Sequence, residues 1–93
     1  MKKTTIDKNM LLGGVVSEGE NYQVVYMNLK KGNQTDNYSI DKNILLFNIS
    51  GKITIMADDK VETLEEFELL EIPKAKEHII TCLEDSKIIV VKL

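Results

Sequence analysis

GNQTDNYSIDKNILLFNISG, residues 32–51, carries a glycine at each end and holds Tyr38, Ile40 and Ile44 between them. Fifteen residues separate it from a second block, FELLEIPKAKEHIITC (residues 67–82), in which Pro73 stands five positions before His78. The two glycines suit backbone turns that need positive φ. Pro73 fits the end of a strand, where a missing N–H costs least. Outward from these blocks the chain is a series of short segments rich in β-branched residues, parted by turn residues about every 8–12 positions, the pattern of an all-β domain.

The strands expected are Leu11–Val16, Tyr22–Leu29, Ile44–Ile49, Lys52–Met56, Lys60–Leu64, Glu68–Ile72, Ile79–Leu83 and Lys87–Lys92. Turns are expected at Ser17–Asn21, Lys30–Asn33, Ser50-Gly51 and Asp58-Asp59, with Ile49-Ser50-Gly51-Lys52 closing a hairpin. VETLEEFELL (Val61–Leu70) also has helical spacing, but Glu66-Phe67-Glu68-Leu69 alternates and a short apolar run ends at Pro73, so strand, turn at Glu65-Glu66, and strand is the reading taken. No repeat or linker divides the chain. A single domain is expected over residues 1–93, with residues 1–10 as a flexible amino-terminal arm.

Ninety-three residues make a thin core, and a partner subunit would help to bury apolar surface. The closing strand, KIIVVKL (Lys87–Leu93), is apolar on both faces, whereas a strand with one wet face should alternate. A homodimer is therefore expected to cover the outer face; the alternative is that the amino-terminal segment of the same chain does so. All twelve basic residues are lysine, and arginine and tryptophan are absent. Arginine is the usual bidentate fork for phosphates, carboxylates and guanine edges. With a net charge of −3 and scattered lysines, no nucleic-acid partner is expected. No apolar run approaches the roughly 18 residues of a membrane span, and Met10–Val16, broken by Gly13 and Gly14, does not read as a signal peptide. The lone Cys82 excludes an internal disulfide, which suits a reducing, cytoplasmic setting.

The spacing of the two blocks resembles the paired cupin motifs, G-x5-H-x-H-x3-E-x6-G and G-x5-P-x-G-x2-H-x3-N. The first falls on residues 32–51 and the second on residues 67–82. Gly13-Gly14-Val15-Val16-Ser17 is similar to the opening of a subgroup of compact bacterial cupins in which the first strand often crosses to a partner. The resemblance implies a double-stranded β-helix, a jelly-roll barrel, as the fold. It also implies a metal site of three histidines and one glutamate. Tyr38 and Ile40 stand where two of those histidines would be, and Ile44 where the glutamate would be; His78 alone remains. Phe67, Ala75 and Cys82 replace the second motif's two glycines and its asparagine. One imidazole does not make a selective transition-metal site, so no metal and no other cofactor is expected, His78 being the sole residual donor. Asp36, Asp41, Glu77 and Cys82 are nearby substitutes. On a strand, however, His78 and Cys82 are separated by roughly 13 Å, too far to share one ion without a bend.

What the resemblance leaves is a barrel interior. Its expected ligand pocket draws Tyr38, Ile44, Leu46 and Asn48 from the first block and its strand, and His78, Ile80 and Cys82 from the second. Tyr38 reads as a ligand contact or as a lid. Asn48 reads as a polar anchor or as the partner of a neighbouring backbone group. Phe47 and Phe67 read as core, and Cys82 as a small buried apolar residue. The function expected is a metal-free, small-molecule-binding or structural dimeric module, without a firm case for enzymatic activity. One alternative is a metal-independent isomerase- or epimerase-like enzyme with His78 and Tyr38 as acid and base. Another is a sensor acting through a separate partner protein.

Overall fold

β-Branched and apolar residues alternate with polar ones through six strands in the computed structural model, which describes residues 1–93: β1 (Leu12–Glu18), β2 (Gln23–Leu29), β3 (Ile44–Ala57), β4 (Lys60–Leu64), β5 (Glu68–Ile72) and β6 (Ile79–Lys92). Every pairing is antiparallel, in the order β1-β2-β6-β3-β4, with β5 also on β3. No helix is long and apolar enough to cross a membrane. The stretch with helical spacing, Val61–Leu70, is strand, turn and strand; its turn falls at Glu66-Phe67, where Phe67 has φ of 63°.

β3 and β6 organise the molecule. Each is 14 residues long, and they pair along most of their length. The first half of β3 lies between β6 and β5, the second between β6 and β4. Between those halves the register slips repeatedly from Asn48 to Ile53. Bulges of this kind bend and twist a ladder, so the sheet folds over on itself. Ile44, Leu46, Ile88 and Val90 from one half then pack with Ile53, Ile55, Ile80 and Cys82 from the other in one buried cluster.

Two expectations are corrected here. There is no hairpin at Ile49–Lys52, because Ile44–Ile49 and Lys52–Met56 are halves of one continuous strand. Ile79–Leu83 and Lys87–Lys92, expected as separate strands, are likewise both parts of β6. Gly51 does have positive φ, 86°, but it serves the bulge. A Cβ there would collide with the Asp85 carbonyl oxygen and the Ser86 hydroxyl. The reversal at Asp58-Asp59 holds, with φ of 50° and 61° at the two residues, as a two-residue hairpin loop with positive φ at both positions requires.

Residues before β1 form no strand, yet they are tied to the body. The Tyr26 hydroxyl donates to the Lys8 carbonyl at 2.6 Å and Asn28 Nδ2 to the Met10 carbonyl at 3.0 Å. Both side chains are buried on the outer face of β2, opposite in parity to Val25 and Met27. The arm thus covers one end of that face. Val24, Val91 and Leu45, aligned by register, and Ile89 and Phe47 in the next row, remain half-buried.

Candidate functional site

His78 is placed just ahead of β6 by a backbone bridge to Tyr38, with N–H to carbonyl distances of 3.0 and 2.9 Å in the two directions. The segment leading to Tyr38 is laced along the same strand. Gly32 N–H donates to Cys82 O (2.9 Å), Cys82 N–H to Asn33 O (2.8 Å) and Thr35 N–H to Ile80 O (2.9 Å). Ile80 N–H returns a bond to Thr35 Oγ1 at 2.9 Å. The first motif block therefore acts as an irregular edge to β6, and its loop arches over the inward face of the sheet.

Under that arch lies a cavity of about 280 Å³. Its floor is apolar: Val25 and Met27 from β2, Ile44 and Leu46 from β3, Ile80 and Val90 from β6. Its rim is polar: Thr35, Asp36, Tyr38, His78 and Lys92. His78 is buried, and its Nδ1 lies 3.1 Å from the Lys76 carbonyl oxygen. A carbonyl can only accept, so Nδ1 carries the proton and Nε2 keeps a lone pair in the neutral ring. The Tyr38 ring meets the imidazole edge-on, with centroids 5.7 Å apart and planes at 89°. Lys92 Nζ donates to the Tyr38 hydroxyl at 3.0 Å and lies 5.0 Å from the ring centroid. The rim is thus one connected row, Lys92–Tyr38–His78.

Tyr38, Ile44, Leu46, His78 and Ile80 are brought together at the cavity. Asn48 and Cys82 are not, and their place in the pocket is corrected. Asn48 keeps the inward parity of Ile44 and Leu46 but lies beyond the cavity, next to the bulge; fully buried, it donates from Nδ2 to Gly51 O (2.9 Å) and Leu64 O (3.2 Å). Asn48 Oδ1 is buried without a partner. Cys82 pairs across to Ile53, and its thiol donates to the Glu84 carbonyl at 2.8 Å. Phe67 is also displaced from its expected core position: it is 71% exposed, and its ring lies 5.9 Å from that of Phe47 on the outer face. Sequence reasoning missed Val25, Met27, Thr35, Val90 and Lys92, and took Asp36 only as a stand-in metal donor. The signal for Lys92 was its parity with Ile88 and Val90, which turns a terminal lysine inward.

The metal set implied by the motif spacing does not fit these residues. Of its four positions, two are isoleucine, one is a tyrosine engaged by Lys92, and one is His78. No group of three or more His, Cys, Asp or Glu side chains is placed to hold a metal ion.

No protein-family model matches the chain, and no curated protein matches it in sequence. Solved structures do match. An RmlC-like cupin family protein with a double-stranded β-helix fold from Methanocaldococcus jannaschii aligns with a TM-score of 0.86 at 18% identity, over 99% of this chain and 89% of that one. An RmlC-like cupin protein from Desulfovibrio desulfuricans aligns with a TM-score of 0.85 at 21% identity, over 99% and 95%. The Bacillus subtilis oxalate decarboxylase with Mn(II) centers aligns at 0.74 and 23% identity, over 78% of this chain and 21% of that enzyme. At such identities the likeness establishes the fold. It is the cupin double-stranded β-helix that the motif spacing implies.

Proposed function

We propose that this cupin-fold chain is a metal-independent module that binds a small organic molecule in the cavity beneath the Tyr38 loop. One observation carries the reading: an apolar floor meets a rim with unspent hydrogen-bonding capacity, the arrangement typical of ligand pockets. The volume, about 280 Å³, is just under the usual range of roughly 300–1,000 Å³, which suits a ligand of about ten non-hydrogen atoms. The residues at the motif's donor positions support an organic ligand, because Ile44, where the motif has its glutamate, gives the cavity a hydrocarbon wall that is less welcoming to ions and water.

The second part of the reading is a homodimer. Leu69 and Phe67, both exposed, extend the half-buried row of Ile89 and Phe47 across the outer face. Lys87 flanks this apolar surface on β6 and Glu71 on β5. An isologous partner, turned by a two-fold axis, can set each patch on its own copy and bring opposite charges together at the margins. Contiguous exposed apolar surface of this kind marks an interaction site.

The test is thermal melting of the full chain against divalent Mn, Fe, Ni and Zn, and against small amphipathic organic molecules. Native-state ligands raise the melting temperature by mass action. Stabilisation by organic probes alone is expected. Stabilisation by a stoichiometric metal that His78→Ala abolishes would overturn the reading.

A further inference from the structure

We infer that the ligand of this cavity carries an anionic head group, a carboxylate on a small apolar body, and that Lys92 receives it. The inference rests on the cavity being the ligand site and adds the chemistry of what enters it.

Lys92 ends β6 with the inward parity of Ile88 and Val90, so its stem runs along the cavity wall and is half-buried. The ammonium is held: it donates to the Tyr38 hydroxyl at 3.0 Å and rests over the ring. An ammonium has three donors, and this is the only hydrogen bond Lys92 Nζ makes. The ion pairs of the chain use Lys30, Lys52 and Lys76, each with a carboxylate partner. Lys92 has none, although it is drawn further from water than a solvated surface lysine. An anion at the rim would give this ammonium a counter-ion and use its idle donors.

Asp36 is on the same rim with the opposite charge. It is exposed and makes no side-chain hydrogen bond or ion pair, so water solvates it and no neighbour fixes it. The charge that a neighbour holds in place is the cation, and this asymmetry decides the sign of the head group. Below the rim every floor residue is a hydrocarbon or thioether, so the body of the ligand has nothing to hydrogen-bond to and must be apolar. A lysine offers a point charge where arginine would offer a fork. That suits one carboxylate rather than a diphosphate.

The test is calorimetric titration of the full chain with hexanoate and, separately, 1-hexanol, which has the same body without the charge. Hexanoate is expected to bind at least about ten-fold more tightly. Lys92→Met, which keeps the apolar stem, is expected to erase that difference, and Lys92→Gln should do the same if the folded melting profile is kept. Asp36→Asn is expected to tighten hexanoate binding by removing a like charge; loosening would contradict the inference. Equal binding of acid and alcohol, or a preference that survives Lys92→Met, would overturn the anion site and leave the apolar pocket standing. Binding of neither probe would overturn both.

Discussion

Backbone conformation at two positions outlasts the residue type that usually supplies it. Gly32 and Gly51 have φ of 91° and 86°, and Phe67 and Ala75, where the motif would have glycine, keep φ of 63°. The left-handed region costs a residue with a Cβ about 1–2 kcal/mol, partly offset by the greater entropy glycine loses on folding. Ala75→Gly is therefore expected to stabilise the chain by about 0.5–1 kcal/mol, read from urea unfolding; a loss would contradict the strain. Burial and the nearby Asp7 carboxylate raise the Tyr26 phenol above its ordinary value. A folded-state value above the unfolded one contributes stability that is complete below about pH 10 and is lost as pH rises through the folded value. Tyr26→Phe should flatten this alkaline decline in melting temperature; an unchanged slope would exclude Tyr26 as its source. At this scale His78 and Tyr38 were legible because motif spacing fixes their places along the chain, and an isolated backbone bridge joins them. Asn48 was not: parity puts it on the inward face as expected, but does not tell that its amide is taken up by the carbonyls of Gly51 and Leu64 beyond the cavity.

The two long strands carry the architecture through one crossing point. Gly51 of β3 lies against Asp85 and Ser86 of β6, and Ser86 Oγ donates to the Glu84 carbonyl at 2.6 Å. Gly51→Ala is expected to cost on the order of 3 kcal/mol or more, since it adds a backbone collision to an unfavourable φ. A chemical denaturation midpoint within error of the parent would contradict this role. β4 and β5 were read from sequence to their last residues, because each is bounded by a tight turn with strong local chemistry. β3 and β6 were each read as two strands. A positive-φ glycine signals a turn and a bulge alike, and the strand that distinguishes them lies some 35 residues away in sequence.

Folded over on itself, the sheet has an inner face that closes a cavity and an outer face that is incompletely covered. The amino-terminal arm takes the Tyr26–Asn28 end of that outer face and leaves the apolar rows of β6, β3 and β5. In sedimentation, the parent chain is expected to run as a dimer and Phe67→Ser with Leu69→Lys to shift it to monomer, both sites being exposed so that folding is spared. A monomeric parent would contradict the docking surface. The doubly apolar closing strand was the reason to expect a partner over the outer face. It did not tell whether arm or partner covers it, and the structure assigns the arm only one end.

The most direct measurement is a proton–nitrogen correlation spectrum of the chain titrated with hexanoate. Shifts confined to the amides of Val25, Met27, Thr35, Tyr38, Ile80 and Val90 are expected, with the outer-face residues Phe47, Ile89 and Val91 unmoved. Shifts centred on that outer face, or none at millimolar probe, would contradict the cavity as the binding site.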